Sequence, residues 1–396
     1  MSEGAFPVPA NVDRLRRAAL VAGAVGALLS LLGAFLDLAQ FLRSWLFAHL
    51  FWTGVSIGCL SLLMLSHLTG GVWGAVIRRL GEAGARVLPV LALLFLPIAF
   101  GVPRVYEWAR PEAMADPVLR MKQPYLNVPF FLVRAVFYFG AWSLLAHLLS
   151  RWSAELDRTG SLRVARRLRG LSGGGLVLLG FTITFSAVDW AMSLDPHWYS
   201  TIYGMIFMVD QTLSAMALVI VLLALFRDES PFTGVVRPEA FHDLGKLLLA
   251  FVMLWAYLNF SQFLIIWAGN LAEEIPWYVR RLHGGGQVVA LLIVLFHFAL
   301  PFLLLLSRDL KRNASTLAKV AGALFLLRWV DLYWLVAPDR HHDGGFHLSW
   351  MDVTAPIAVG GIWLYWFARE LKTRPLLPRH EPDLDELLAQ PAEGHA

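Results

Sequence analysis

The fold is decided by apolar runs such as residues 202–226, IYGMIFMVDQTLSAMALVIVLLALF, in which Asp210 is the single charged side chain. A helix that crosses a bilayer needs about 20 mostly apolar residues, because the hydrocarbon core is about 30 Å thick and an α-helix rises about 1.5 Å per residue. A strand of a membrane β-barrel would instead be short and would alternate polar with apolar residues. The run therefore predicts a transmembrane helix.

Similar runs recur along the whole chain, which is 58% hydrophobic and only 16% charged. They predict an all-α integral membrane protein, with a helical membrane domain over residues 1–373. Residues 374–396 are rich in Pro, Glu and Asp and are expected to form a mobile cytoplasmic tail. The chain is predicted to have about ten transmembrane helices, near residues 18–38, 46–66, 87–102, 127–149, 171–190, 202–226, 246–267, 286–306, 318–336 and 350–371.

The distribution of basic residues predicts the orientation of these helices. Basic residues are retained on the cytoplasmic side of a membrane. The N-terminal segment, the even-numbered loops and the C-terminal tail hold most of the 33 Lys and Arg residues. We therefore expect both termini in the cytoplasm. The basic cluster at residues 163–169 is expected to contact anionic lipid, and nucleic-acid binding is not expected.

The chain contains one cysteine, Cys59. Iron–sulfur clusters, covalently attached c-type haem and disulfides each need at least two thiols, so none of them is expected within this chain. A phosphate-binding loop of the G-x-x-x-x-G-K-[ST] type is also absent from the sequence. No catalytic residue and no metal site is predicted, and any redox centre is expected in a partner.

The candidate functional residues are the ionisable and amide side chains that interrupt the apolar runs. A charged side chain in mid-membrane costs at least about 2.5–3.5 kcal/mol, so it must face protein or water and usually has a partner. On the predicted topology most of them lie in the periplasmic half. The predicted set is Arg134, Tyr138, Asp189, Asp210, Tyr257, Asn259, Ser261, Gln262, His297, Arg328, Asp331 and Asp352.

This convergence permits two interpretations. Fixed acceptors, a titratable carboxylate and enclosed water are what a quinol pocket or an outward proton half-channel needs. Alternatively, Arg–Asp pairs join transmembrane helices, and Arg328 with Asp331, three residues apart, can neutralise each other. On the seventh predicted helix, the polar residues from Tyr257 to Gln262 form one flank that is expected to face the interior.

One internal similarity links two parts of the chain. Asp189, Pro196 and Asp210 have the same spacing as Asp331, Pro338 and Asp352. A parallel repeat of two four-helix bundles plus two flanking helices is one arrangement that explains it, and chance similarity of a few positions is the other.

Three segments resemble the F subunit of bacterial alternative complex III, a quinol:cytochrome c oxidoreductase. They are YLNVPFFLVR at 125–134, SLDPHWYST at 193–201 and FSQFLIIWAGN at 260–270, the last followed by Glu273 and Glu274. That subunit is the second of two membrane subunits related to the NrfD-like, polysulfide-reductase C family. The resemblance extends over residues 90–370.

The resemblance implies a multi-pass protein of the bacterial inner membrane that supports quinol oxidation at the periplasmic face. It implies quinol or quinone as a ligand, with iron–sulfur clusters and haem c held by partner subunits. The implied partners are a homologous NrfD-like membrane subunit, a periplasmic iron–sulfur subunit, multihaem and monohaem cytochrome c subunits, and lipids. Arg134 is then a buried polar anchor, and Asn259, Ser261 and Gln262 line a pocket or channel. The implied partner-docking residues are Asp195, His197, Glu273 and Glu274.

Two other functions remain open at this stage. A stand-alone secondary transporter would use the four-helix repeat and the buried polar residues to expose a solute to each side in turn. A purely structural membrane anchor for periplasmic redox proteins would need only the outer loops, with the buried charges joining helices.

Overall fold

The computed structural model describes residues 9–337 and 348–378, and all regular secondary structure in these two ranges is helical. The α-helices are α1 (Ala10–Leu36), α2 (Leu38–Thr69), α3 (Val72–Ala85), α4 (Leu88–Leu94), α5 (Leu96–Val105), α6 (Pro117–Lys122), α7 (Val128–Thr159), α8 (Leu162–Trp190), α9 (Tyr203–Phe226), α10 (Pro238–Gly269), α11 (Ile275–Arg281), α12 (Gly286–Leu292), α13 (Leu300–Leu306), α14 (Arg308–Arg312), α15 (Ala314–Val336) and α16 (Met351–Leu371). A π-helical segment, Ile293–Ala299, joins α12 to α13.

Eight helical stretches in the described part of the chain are long and apolar enough to cross a membrane. They are α1, α2, α7, α8, α9, α10, the continuous stretch from α12 to α13, and α16. Each coincides with one of the predicted segments. The fold is therefore that of an all-helical, multi-pass membrane protein.

The other two predicted segments, 87–102 and 318–336, have distinct structures. The first lies on a broken helix in which Val72–Leu94 and Leu96–Val105 are bent by 54°. Pro97, in the first turn of α5, lacks the N–H that would continue the helical ladder, which accounts for the break at this point. The second coincides with α15, a helix of 23 residues that carries Lys319, Arg328 and Asp331.

Helix α2 forms the centre of the bundle, with 94% of its most apolar stretch buried. It contacts α9, α16, α3 and α8. By contrast, only 28% of the corresponding stretch of α10 and 22% of that in α12–α13 is buried. Exposed apolar surface on this scale is stable only against lipid or another apolar partner, so these helices form the periphery.

Helices α1 and α16 pack against each other at unusually short range. A Cβ added to Gly361 would lie 2.3 Å from the Cα of Gly23, and one added to Gly26 would lie 2.6 Å from the backbone nitrogen of Ala358. Small residues at these positions allow the two backbones to approach, as is common between membrane helices.

A buried ionic cluster joins α3, α7 and the segment after α16. Arg79 Nη1 donates to Glu82 Oε2 at 2.6 Å and to Ser153 Oγ at 2.9 Å, and Arg79 also contacts Asp157. Arg374 Nη1 lies 3.6 Å from Glu82 Oε2. The first residues of the predicted tail, 374–378, therefore pack on the bundle, and residues 379–396 lie outside the described part.

Candidate functional site

Three buried charged residues form a triad between α9 and α15. Arg328 Nη2 lies 2.7 Å from Asp210 Oδ2, and Arg328 Nη1 donates to Asp331 Oδ2 one turn further along α15. The side chains of all three residues are at least 96% buried. The sequence predicted the pair on α15, whereas the contact with Asp210 follows only from the packing of two helices.

The triad contains two carboxyl groups and one guanidinium. The indole of Trp255 on α10 donates to Asp331 Oδ2 at 3.2 Å. Neither carboxylate oxygen of Asp210 accepts a hydrogen bond from a described residue, so its contact with Arg328 is an ion pair. The net charge of the triad is zero only when one carboxyl carries a proton, and an uncompensated buried charge costs several kcal/mol. The arrangement is therefore suited to binding and releasing one proton.

A cleft of about 620 Å³ opens beside this triad, between α10, α11, α12, the π-helical segment and α15. Its polar groups are Asp331, Asn259, Tyr257 and Tyr278, and its other walls are apolar and aromatic. Residues on its rim, including Phe260 and Val294, are exposed on the surface of the helical bundle. An apolar cleft with a few converging polar groups is the usual form of a small-molecule site.

The π-helical segment brings an unusual histidine next to the cleft. His297 is fully buried, and neither of its ring nitrogens has a hydrogen-bond partner among the described residues. Its ring centroid lies 4.5 Å from that of Trp255, whose indole contacts Asp331. Single turns of π-helix are frequent at functional sites. His297 therefore belongs to the same local site as the triad.

The polar flank of α10 is divided between two environments. Gln262 is buried, accepts a hydrogen bond from Ser200 Oγ at 3.0 Å and lies 3.5 Å from the Tyr278 hydroxyl. Asn259 donates to the Trp255 carbonyl at 3.0 Å. Ser261 is half-buried, whereas Tyr257 is 66% exposed and lines the cleft from its rim. The expectation that the whole flank faces the interior is wrong for Tyr257, because its position lies on the outward side of the helix.

Arg134 and Tyr138 on α7 form a second cluster with Asp189 on α8. Arg134 Nε and Nη2 donate to the two carboxylate oxygens of Asp189, each at 2.8 Å, and the Tyr138 hydroxyl donates to Oδ2 at 2.8 Å. The guanidinium also donates to the Tyr125 carbonyl and lies 3.9 Å from the centroid of the Tyr125 ring. This bidentate pair is neutral and well satisfied, which is typical of a structural connection.

Asp352 occupies a third environment, at the first turn of α16. It is fully buried and accepts hydrogen bonds from Ser44 Oγ at 2.7 Å, the Ser349 backbone N–H at 3.0 Å and the Tyr333 hydroxyl at 3.4 Å. These contacts connect α16 to α2 and α15. The expectation of one pocket shared by all the buried polar residues is therefore wrong: of the predicted set, Tyr257, Asn259 and Asp331 line the cleft.

The predicted docking residues also differ from one another. Asp195 is buried and pairs with Arg280, so it connects the segment before α9 to α11. His197 Nε2 lies 2.7 Å from Asp116 Oδ2 in an exposed pair, and this hydrogen bond lowers the pKa of the Asp116 carboxyl. Glu273 is exposed and Glu274 is half-buried, in the turn between α10 and α11.

Two residues of the site, Trp255 and Tyr278, were not predicted. Trp255 lies four positions before Asn259 and seven before Gln262, so all three residues share one face of the helix. This spacing could have identified Trp255 as part of the site. Tyr278 lies between two predicted transmembrane segments, 246–267 and 286–306, and carries no comparable signal. Burial raises the pKa of its hydroxyl to about 12, so the group stays protonated at neutral pH and can donate a hydrogen bond.

The geometry defines the class of the protein as a multi-pass helical membrane protein with a membrane-facing cleft beside a buried charged triad. Comparison with protein-family models gave no match, and a search of curated proteins found no similar sequence. Within the described residues, no group of three or more His, Cys, Asp or Glu side chains is arranged to hold a metal ion.

Proposed function

We propose that this chain is an integral membrane subunit of a respiratory quinol:cytochrome c oxidoreductase of the alternative complex III type. In that role it supports quinol oxidation at the periplasmic side and moves protons released by the reaction. The observation that carries this proposal is the position of Asp331, which belongs both to the wall of a lipophilic cleft and to a triad with one cation for two carboxyls.

The cleft has the chemistry that a quinol requires. An aromatic and aliphatic wall accommodates the ring, and a carboxylate such as Asp331 accepts a hydrogen bond from a quinol hydroxyl. The isoprenoid tail leaves through the exposed apolar rim near Phe260 and Val294 and continues into lipid. Oxidation of one quinol releases two electrons and two protons. The electrons would pass to iron–sulfur and haem centres of partner subunits. One proton would pass to the triad and the other to water on the periplasmic side.

The proposed topology has ten membrane-spanning segments. It adds the bent stretch from α3 to α5 and the charged helix α15 to the eight apolar helices. Two of the three charges of α15, Arg328 and Asp331, are buried against α9 and α10. The third, Lys319, is exposed near the start of the helix, where a long basic side chain reaches the membrane interface. An even number of spans places both termini on one side, and the distribution of basic residues favours the cytoplasm.

The proposed partners dock on the outer loops. Those loops carry the exposed Glu273 and the exposed His197–Asp116 pair. A homologous membrane subunit, a periplasmic iron–sulfur subunit and cytochrome c subunits are the partners that the resemblance implies. Electron transfer from the cleft requires such a redox partner on this face.

A photoreactive quinone analogue tests the proposal directly. Illumination of the purified complex, followed by peptide mapping, is expected to label α10, the π-helical segment or α15, and an excess of natural quinone should prevent the labelling. Labelling confined to other surfaces would contradict a quinol site in this cleft. Retention of activity and cytochromes with no labelling at all would favour a purely structural anchor.

A further inference from the structure

A second concave apolar surface lies between α1, α15 and α16, with α2 beneath it. The groove has a volume of about 460 Å³. Small residues, among them Ala18, Ala22 and Gly360, make it concave, and the aromatic rings of Trp52 and Trp329 form its floor. Position 360 does not accept a residue larger than glycine, because an added Cβ would lie 2.3 Å from the Trp52 ring. The contacts within the fold therefore maintain the groove.

The groove is long enough to hold an acyl chain from one leaflet of a membrane. Along α16 its lining extends from Val353 to Leu364. A helix rises about 1.5 Å per residue, so this distance is about 16 Å. The hydrocarbon core of a bilayer is about 30 Å thick, and a chain from one leaflet spans about half of it.

The N-terminal ends of α1 and α15 lie at the same end of this groove. The Asn11 backbone N–H on α1 donates to Glu229 just after α9, at 3.4 Å. Asp210, early in α9, contacts Arg328, in the second half of α15. A Cβ added to Gly322, in the first half of α15, would lie 3.7 Å from Val221, late in α9. The two helices are therefore antiparallel, and the start of α15 lies near the end of α9. The mouth between the two N-termini is therefore one connected region.

Basic side chains lie at this mouth, on the same faces of α1 and α15 that line the groove. Arg14 precedes Ala18 by one helical turn, and Lys319 precedes Leu326 by two turns on the same face. Both basic residues are exposed. Two carboxylates lie nearby: Asp13 accepts from Lys372 Nζ at 2.5 Å, and Glu229 accepts from the Asn11 backbone N–H at 3.4 Å.

We propose that the groove is a binding site for an anionic phospholipid, with one acyl chain along the apolar lining and the phosphate between Arg14 and Lys319. Charge complementarity at the mouth selects this occupant over an apolar helix of a partner, which offers no group for two cations. Each basic residue near an anionic headgroup contributes about a fivefold factor in affinity. The proposal is independent of the quinol function.

The test uses the full-length chain, within its complex, in nanodiscs made of equal parts phosphatidylglycerol and phosphatidylcholine. Native mass spectrometry then counts the lipids that remain after extraction. The double variant Arg14→Gln/Lys319→Gln is expected to lower the preference for phosphatidylglycerol by about 25-fold, a factor of about five for each residue. The matched control, Arg104→Gln/Arg120→Gln, removes two exposed basic residues from α5 and α6, outside the groove, and should keep the retained lipid.

A second pair of variants separates lipid binding from folding. Ala22→Phe fills the groove and should lose the retained phosphatidylglycerol, whereas Val21→Phe, at a neighbouring exposed position of α1, should keep it. Equal retention of the two lipids in the native chain, or unchanged retention in Ala22→Phe, overturns the proposal. Loss of a membrane subunit with unchanged lipid in Ala22→Phe identifies a protein helix as the occupant and also overturns it.

Discussion

Asp210 Oδ2 on α9 and Arg328 Nη2 on α15 lie 2.7 Å apart in the buried interior of the bundle. Arg328 also holds Asp331, so a single guanidinium serves two carboxyl groups that come from two helices. A structural ion pair needs only one carboxyl per cation. Because the triad has one carboxyl more than it has cations, it can bind a proton. Asp331 also lines the cleft, so a ligand in the cleft can exchange a proton with the triad.

The first prediction contrasts the members of the triad. Asp210→Asn leaves one carboxyl for one guanidinium, so the complex should assemble and remain stable, while quinol-dependent cytochrome c reduction or its coupled proton release falls by about a hundredfold. Arg328→Gln leaves two buried carboxyls without their cation and should destabilise the fold by about 3–5 kcal/mol. Thermal unfolding in detergent and turnover assays distinguish the two. Unchanged turnover and coupling in Asp210→Asn would leave the triad with a packing role only.

The second prediction concerns occupancy of the cleft. Val294→Trp places an indole at the rim and should raise the KM for quinol by at least about tenfold with a smaller effect on kcat, because it obstructs binding. Leu291→Trp is the control, since this exposed residue of α12 is not part of the cleft lining. Equal KM values for the two variants would exclude entry through this rim.

The third prediction concerns the Arg134–Asp189 pair. Asp189→Leu or Arg134→Met should each destabilise the chain by about 3–5 kcal/mol, because each leaves a buried charge without its counter-ion. The double variant Arg134→Met/Asp189→Leu removes both charges and should recover much of that loss. A double-variant cycle measured by thermal unfolding reports the coupling. Independent, additive effects would contradict the bidentate contact.

The fourth prediction concerns docking on the outer loops. Glu273→Ala/Glu274→Ala should weaken co-purification of periplasmic subunits, because it removes an exposed acidic turn between α10 and α11. The control is Glu239→Ala, which removes an exposed carboxylate from the opposite end of α10. Intact complexes from both variants would place the docking surface elsewhere.

The fifth prediction is a pH dependence of the Asp116–His197 contact. The hydrogen bond with His197 lowers the pKa of Asp116. In the folded loops Asp116 therefore stays ionised at pH values below the ordinary pKa of an aspartate. The contact contributes fully above the unfolded-state pKa and is lost as the pH falls through the lowered folded-state pKa. Hydrogen exchange of residues 106–126 should therefore accelerate at a lower pH in the native chain than in His197→Ala. Identical profiles would show that the pair does not hold these loops.

Much of the fold was predictable because membrane helices are defined by local composition. Eight predicted segments coincide with apolar helices, and α15 appears where the sequence predicted it despite its three charges. The break between α4 and α5 was not predicted. A proline permits a helix to end without requiring it to, and the bend depends on packing around Pro97.

The sequence by itself determined that Arg134, Asp189, Asp210, Arg328 and Asp331 would be enclosed by protein, because charge in lipid is too costly. It did not determine their partners. Only the tertiary structure paired Asp210 with Arg328, paired Arg134 with Asp189 and turned Tyr257 outward. Hydropathy identifies each membrane segment, and the position of a residue within the segment gives its depth. Which side chains pair depends instead on the rotation of each helix about its axis and on which helices become neighbours. Those two quantities are set by packing of the whole bundle.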